Sequence, residues 1–284
     1  MKAHSFGEIS RYLLGARHPY WKPLHDKPID LIDQPLVAKH LRNIIKNNGL
    51  VAASRARIAL SSMFTWAMKE GYCPLNPVAA TNDPGAGRDP RDRVPDDAEL
   101  AKVWNACADD DYGKSIRLLI LTGQRLREVG EMTWSELQEW PMWRIPGSRT
   151  KNGREHVLML PPMAWQIIET VPRRDWNDHL FGRSSRGFTG WSARKALLDQ
   201  KVKIPPWVVH DLRRSVATGL ANLQVEPHVI EALLNHVSGS KRGVAGVYNR
   251  STYAVQTRNA LALWADHIQQ ITEGTERRIL QFPA

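Results

Sequence analysis

Residues 81–95, TNDPGAGRDPRDRVP, carry three prolines, two glycines and scattered charges. Such a stretch does not continue a helix or a central strand, because proline lacks the amide donor and glycine loses the most backbone entropy on ordering. The 284-residue chain is therefore expected to fold as two units, each long enough to bury its own core. The expected division is a helical unit over 1–80, an exposed linker over 81–95 and a second unit over 96–284.

In the first unit, 5–14, 35–47 and 51–70 read as helices. Leu60, Met63, Phe64, Ala67 and Met68 recur at three- and four-residue spacing and make one apolar stripe, with Gly71 placed to cap it and Pro74 and Pro77 beyond. The second unit opens at Asp96, where Glu99 three residues on completes a capping box. Helices are expected over 114–121 and 125–138, broken at Gly123, and again over 162–170, 190–199, 211–223, 227–235 and 252–271. Two short strands, Trp143–Pro146 and His156–Leu160, are joined across Lys151-Asn152-Gly153, whose Asn-Gly pair signals a hairpin turn. The expected fold class is mainly α with a small β-sheet. Trp104, Trp134 and Trp165 lie in helical patterns and are assigned to the core rather than to base stacking.

Charge narrows the partner. The chain has 39 basic and 29 acidic side chains, a net charge of +10 with histidine neutral, which suits an extended polyanion. A composition 42% hydrophobic and 24% charged excludes wholesale disorder. Cys73 and Cys107 show no CxxC spacing, so neither a disulfide framework nor a structural zinc site is expected. No signal peptide or membrane-spanning stretch is read, and a cytoplasmic location is expected. Familiar nucleotide-hydrolase, serine-hydrolase and zinc-protease signatures are absent.

Four stretches are rich in residue types that bind and protonate phosphate: TGQRLREV at 122–129, RTKNGREHV at 149–157, HDLRRS at 210–215 and NHVSGSKRGVAGVYNR at 235–250. Arg125 opens a helix with Glu128 one turn on, which orients a guanidinium or simply forms a surface ion pair. His210 and Arg213 share a helix face, a pairing that favours an anion between them unless the histidine is only a cap. His236 ends the helix 227–235, where the helix dipole would favour imidazolium. Tyr248, alone, would be taken for a core aromatic.

Taken together, these motifs resemble, in order and approximate separation, the tyrosine recombinases, also called the phage integrase family, across essentially all of 96–265. The resemblance implies a helical core-binding (SAM-like) DNA-binding domain over 1–80 and a mixed α/β catalytic domain with a C-terminal helix over 96–284. Residues 5–80, especially MFTWAMKEGYCPLNPV, resemble the core-binding part, and the two domains would close as a C-shaped clamp on duplex DNA. By position, Tyr248 would attack a DNA phosphodiester to give a 3′-phosphotyrosine and a free 5′-hydroxyl. Arg125, Arg213 and His236 would hold the non-bridging oxygens, Lys151 would protonate the leaving oxygen, His210 would assist proton transfer, and Glu128 would support Arg125. No cofactor, metal ion or ATP is expected, since the phosphotyrosine keeps the bond energy.

The implied function is integration or excision of a mobile element at double-stranded DNA attachment sites, by a homo-tetramer on DNA, with accessory DNA-bending proteins. A type IB topoisomerase and a non-catalytic DNA-binding remnant are the alternatives. Arg149 and Arg154 flank Lys151 as other phosphate-contact candidates, and Tyr253 rivals Tyr248. Asn235 stands where the family usually has Gly, Ser215 where Thr is common, and twelve residues separate His236 from Tyr248, a longer interval than in compact bacterial resolvases. The separate N-terminal arm-binding domain of genomic-island integrases is expected to be missing. The stripe Leu261, Trp264, Ile268 and Ile271 packs either on its own subunit or, as the resemblance suggests for the tail, on a neighbouring protomer.

Overall fold

The computed structural model describes residues 3–15, 20–87, 92–236 and 253–274. The chain divides into two compact units, Met1–Arg91 and Asp92–Ala284. It is mainly helical with one small sheet. Among the described residues no helix is long and apolar enough to cross a membrane.

The first unit is built on α1 (Ala3–Leu14) and α2 (Gln34–Lys69). Asp33 caps α2 by accepting from the Leu36 amide at 2.9 Å. The helix is interrupted at Gly49, whose φ of 82° and ψ of 170° are not helical, so the two helices read from the sequence are adjoining segments of one rod. Small residues on the second segment, Ala53 and Ala56, let Trp21 approach closely enough to donate its indole N–H to the Ala56 carbonyl at 3.0 Å. Leu60, Phe64 and Ala67 of the predicted stripe are buried, whereas Met68 is exposed at its edge. The helix ends as its glycine implies: Gly71 takes φ 77°, its amide donates to Met68 and the Tyr72 amide donates to Ala67.

Residues 81–86 differ from an exposed linker. Arg57 donates to the Thr81 hydroxyl and carbonyl and to the Val78 carbonyl, and Ser54 donates to Asp83. Their composition discourages regular structure, but side chains on α2 supply the partners that regular structure would have provided.

The second unit begins with α3 (Asp97–Ala106), and the capping box is formed: Asp96 accepts from the Glu99 amide at 2.8 Å and Glu99 accepts from the Asp96 amide at 2.9 Å. At the centre lies α4 (Asp111–Thr122), which packs against α3, α5 (Leu126–Gly130), α6 (Pro162–Glu169), α8 (Val209–Asn222) and α10 (Ala254–Glu273). The remaining α-helices among the described residues are α7 (Trp191–Val202) and α9 (Pro227–Leu233). The stripe of α10 is buried within this unit: Trp264 donates to the Ile120 carbonyl at 2.8 Å and packs against Gly219, where a Cβ would come within 2.2 Å of the ring. Trp165 is buried, and Trp104 and Trp134 pack half-buried on the same core.

The predicted helix over 125–138 is not a single helix. It stops at Gly130 and resumes as a 3-10 turn over Trp134–Leu137. The cause is tertiary, because the intervening backbone is taken by another segment: Phe188 donates to Gly130, Leu180 to Met132, and Trp134 to Asp178, at 2.8–2.9 Å. Gly130 also lies against Trp191, with a Cβ there 2.6 Å from the indole.

Strands β1 (Met142–Ile145) and β2 (His156–Met159) are antiparallel, with Met142 opposite Met159 and Ile145 opposite His156. Their connection spans 146–155, wider than a two-residue Asn-Gly turn. Gly153 does supply a positive φ of 79°, but the loop is closed by Thr150, whose hydroxyl donates to the Arg154 carbonyl at 2.7 Å.

Gly123 ends α4 at φ 62°, and a Cβ there would meet Leu234 and Val216 at 2.9 Å. Gly123→Ala is expected to destabilise the second unit by about 2 kcal/mol, from left-handed strain plus overpacking, measured as a lower urea midpoint at unchanged m-value. An unchanged midpoint would refute the packing described.

Candidate active site

The helix α9 is short, and its last carbonyls point at side chains from elsewhere in the unit. Leu233 accepts from the Gln124 amide and from Nε2 of His156, both at 3.0 Å. Leu234 accepts from Arg213, and Asn235 accepts from Arg125 at 3.3 Å. A helix C-terminus carries unsatisfied carbonyls and a partial negative charge, so it is a natural seat for guanidinium groups.

Asn235 explains itself in this setting. Its φ is 48°, the left-handed region that glycine enters most readily and asparagine tolerates better than most residues. The helix closes around it, with the Asn235 amide on Ala232 and the His236 amide on Glu231. Its side-chain oxygen also accepts from Asn152 Nδ2 at 2.6 Å, a contact glycine could not make. That bond brings the hairpin tip, with Lys151 exposed upon it, beside the end of α9.

Arg213 is buried on α8, only 5% exposed, and donates to the Gly123 carbonyl at 2.7 Å as well as to Leu234. Burial, reinforced by the neighbouring Arg125, pushes its pKa down to about 10, which leaves it charged at neutral pH. Arg125 precedes α5 and is clamped by Glu128, which accepts from its amide and its guanidinium, each at 2.9 Å. Because Glu128 is 2% exposed, this pair is not the solvated surface bridge that its spacing alone would allow.

Two histidines complete the cluster. Desolvation and the guanidinium groups of Arg213 and Arg214 hold His210 below the usual imidazole value. His236 is pushed down to about 4 by desolvation, then by Arg213 and Arg125, although its ring stays open to solvent on one side. This reverses the expectation of a helix-end imidazolium. Desolvation, followed by two nearby full positive charges, outweighs the half-charge of the helix terminus. Both shifts favour the neutral imidazole, which carries one N–H donor and one basic nitrogen.

The structure thus brings Arg125, Glu128, His210, Arg213 and His236 together at the end of α9, with the Lys151 hairpin beside them. Tyr248 lies outside the described residues. Tyr253 begins α10 with its ring 4.8 Å from His228, at the opposite end of α9 from His236, a rise of about 12 Å along the helix. Among the described residues no group of His, Cys, Asp or Glu could hold a metal ion.

Three contributors were not picked out from sequence: Gln124, Asn152 and His156. Gln124 and Asn152 are polar residues inside motifs read for their charges. His156 did carry a signal, since strand alternation turns it inward with Leu158 while Val157 faces out, and an inward histidine needs a partner.

Residues 94–254 match the family model described as phage integrase family, and residues 17–83 match that of the phage integrase central domain. The chain belongs to the phage integrase family. This phage integrase family chain is 31% identical over 160 residues to prophage integrase IntA of Escherichia coli (strain K12), covering 55% of this chain and 38% of that protein. It is 26% identical over 230 residues to prophage integrase IntZ of the same strain, covering 78% and 56%. It therefore spans between about a third and somewhat over half the length of the curated relatives it matches. The fold is shared with a lambda integrase tetramer bound to a Holliday junction, with TM-score 0.62 and 20% identity over 89% of this chain and 73% of that one. A lambda integrase(75-356) dimer bound to a COC′ core site gives 0.58 and 21% over 84% and 96%.

The buried His156 makes the second unit sensitive to acid. Burial pushes it down to about 4, and in its neutral form it donates Nε2–H to Leu233. Its folded value lies below its unfolded one, so its contribution is complete above pH 6.5 and is lost as pH falls toward 4. The loss is on the order of 3 kcal/mol. Urea titrations at several pH values should show this loss, and His156→Gln should shrink it while lowering stability at pH 7; an equal pH dependence in both proteins would refute the assignment.

Proposed function

We propose that this chain is a site-specific DNA recombinase that cuts and rejoins double-stranded DNA through a 3′-phosphotyrosine to integrate or excise a mobile element. The observation that carries the reading is the convergence of two guanidinium groups and two imidazoles at the end of α9, beside the hairpin tip bearing Lys151. In this reading residues 1–80 are the core-binding domain, 81–95 the linker and 96–284 the catalytic domain. The net charge of +10 supports phosphate neutralisation by the chain as a whole.

Each group has a role set by its state. Arg125 and Arg213 present planar N–H donors to the non-bridging oxygens and stabilise the charge that develops on them, a task for which preorganised donors are effective. His236, neutral, donates one further hydrogen bond. The phenol of Tyr248, the tyrosine of the GVYNR motif, gives its proton to the basic nitrogen of His210 as its oxygen bonds to phosphorus. The bond to the 5′-oxygen breaks, its electron pair stays on that oxygen, and Lys151 supplies the proton. Glu128 holds Arg125 in place. Reversal by another strand's 5′-hydroxyl rejoins DNA without an energy source.

The lambda integrase relatives include a dimer on a core site and a tetramer on a four-way junction. Carried over, they support action by several copies of this chain on DNA; accessory DNA-bending proteins as further partners and a cytoplasmic place of action belong to the same proposal.

The test is covalent capture on a pool of nicked duplexes made from DNA flanking the gene, with EDTA present, resolved on a denaturing gel. Wild type should give a slow band and Tyr248→Phe none, while both bind DNA. Cross-linking by the Phe variant would overturn the nucleophile, and binding without capture by either would return the non-catalytic reading. Arg125→Ala should cleave about 10²–10³-fold more slowly, the scale of one lost charge-stabilising donor. Because His210 and His236 are held below 6.5, the acid limb of kcat/KM, which reports the free enzyme, should fall below pH 6.5; a limb above that value would contradict their neutral state.

A further inference from the structure

We propose that Arg149, locked on Glu136, is a positioning residue that fixes the hairpin carrying Lys151 against the helix start carrying Arg125. The inference rests on the reading of Lys151 as the proton donor to the leaving oxygen. Arg149 lies two residues before Lys151 in a basic stretch where a phosphate contact is the ready expectation. Its hydrogen bonds are directed into the protein instead.

All of its donor positions turn inward. Nε donates to Glu136 Oε1 at 2.6 Å, and one terminal nitrogen donates to Glu136 Oε2 at 2.8 Å and to the Glu128 carbonyl at 3.0 Å. The other terminal nitrogen reaches the Arg127 carbonyl at 3.4 Å and stands 3.8 Å from a Glu131 carboxylate oxygen. A guanidinium has five N–H donors in one plane; four of those of Arg149 are hydrogen-bonded within the protein and its remaining side faces the Glu131 carboxylate. Glu136 is itself buried and fixed, since its Oε2 also accepts from the indole of Trp143, a fully buried residue of β1, at 3.0 Å.

The network spans two parts of the site. Glu128, whose carbonyl Arg149 grips, is the residue whose carboxylate clamps Arg125. On the other side of Lys151, Asn152 is tied to Asn235 at the end of α9. Lys151 therefore stands between two tethers. The first fixes the loop to α5 and the second fixes it to α9, so the lysine's backbone is set relative to both the phosphate clamp and His236. Displacement of a reacting group by about 1 Å costs on the order of 100-fold in rate. Lysine at 149 could keep the ion pair with Glu136 but not the planar set of bonds that reaches Glu128 and Arg127 as well.

The experiment uses the full chain and the duplex recovered by the Tyr248 capture, synthesised with either oxygen or sulfur at the bridging 5′ position of the scissile phosphate. When the bond to sulfur breaks, the electron pair rests on sulfur as a stable thiolate and no proton is needed. Arg149→Ala, folded by circular dichroism, should cleave the oxygen substrate about 100-fold more slowly than wild type and the sulfur substrate at the wild-type rate, with Arg149→Lys between. Lys151→Ala should show the same pattern and serves as the control. Equal slowing of Arg149→Ala on both substrates, or no slowing, overturns the positioning role while Lys151→Ala is rescued. Failure of sulfur to rescue Lys151→Ala overturns the proton-donor reading itself. Independently of DNA, amide hydrogen exchange over 147–154 should quicken in Arg149→Ala with α4 and α8 unchanged; unchanged exchange in the loop overturns the tether.

Discussion

The carbonyl end of α9 organises the site. A seven-residue helix leaves several backbone acceptors without intrahelical partners, and in a buried position each of these would be costly. Here they are answered by Gln124, His156, Arg213 and Arg125, drawn from distant parts of the chain. The requirement is reciprocal. A buried guanidinium such as Arg213 also needs acceptors, and the Gly123 and Leu234 carbonyls supply them without cancelling its charge as a carboxylate would.

That choice of partner has an electrostatic consequence. Backbone carbonyls satisfy the N–H donors but leave the positive charge to act on its surroundings, and it adds to desolvation in holding the two neighbouring imidazoles below their usual value. Glu128 supplies a full negative charge, yet it is buried behind Arg125 and serves to aim that side chain. Among the described residues the site is thus an assembly of donors whose guanidinium charges are only partly offset by carboxylates, which suits the phosphate of the proposed function.

Two polar tethers join the sheet to this centre. Arg149 and Glu136 fasten the root of the hairpin to α5, and Asn152 fastens its tip to Asn235. A two-stranded sheet is marginal alone. Its register here is supported by a buried Trp143 and by the inward His156, both hydrogen-bonded to neighbouring parts of the unit.

Much was legible in the sequence where the cause is local. The Asp96–Glu99 box, the Gly71 and Gly123 stops, the short strands and the apolar stripe of α10 follow from caps, positive φ and periodicity, which act within a few residues. Residue types and spacing also nominated the members of the basic cluster. What the sequence could not decide depended on partners far along the chain. Helix 125–138 was cut because 178–188 takes its backbone bonds, and Arg149 turned inward because Glu136 and two carbonyls of α5 await it. His236 is pushed down first by desolvation and then by Arg213 and Arg125, against the pull of its own helix end. Local propensity is short-ranged, whereas burial and charge are properties of the assembled unit, and only the tertiary structure decides which groups share them.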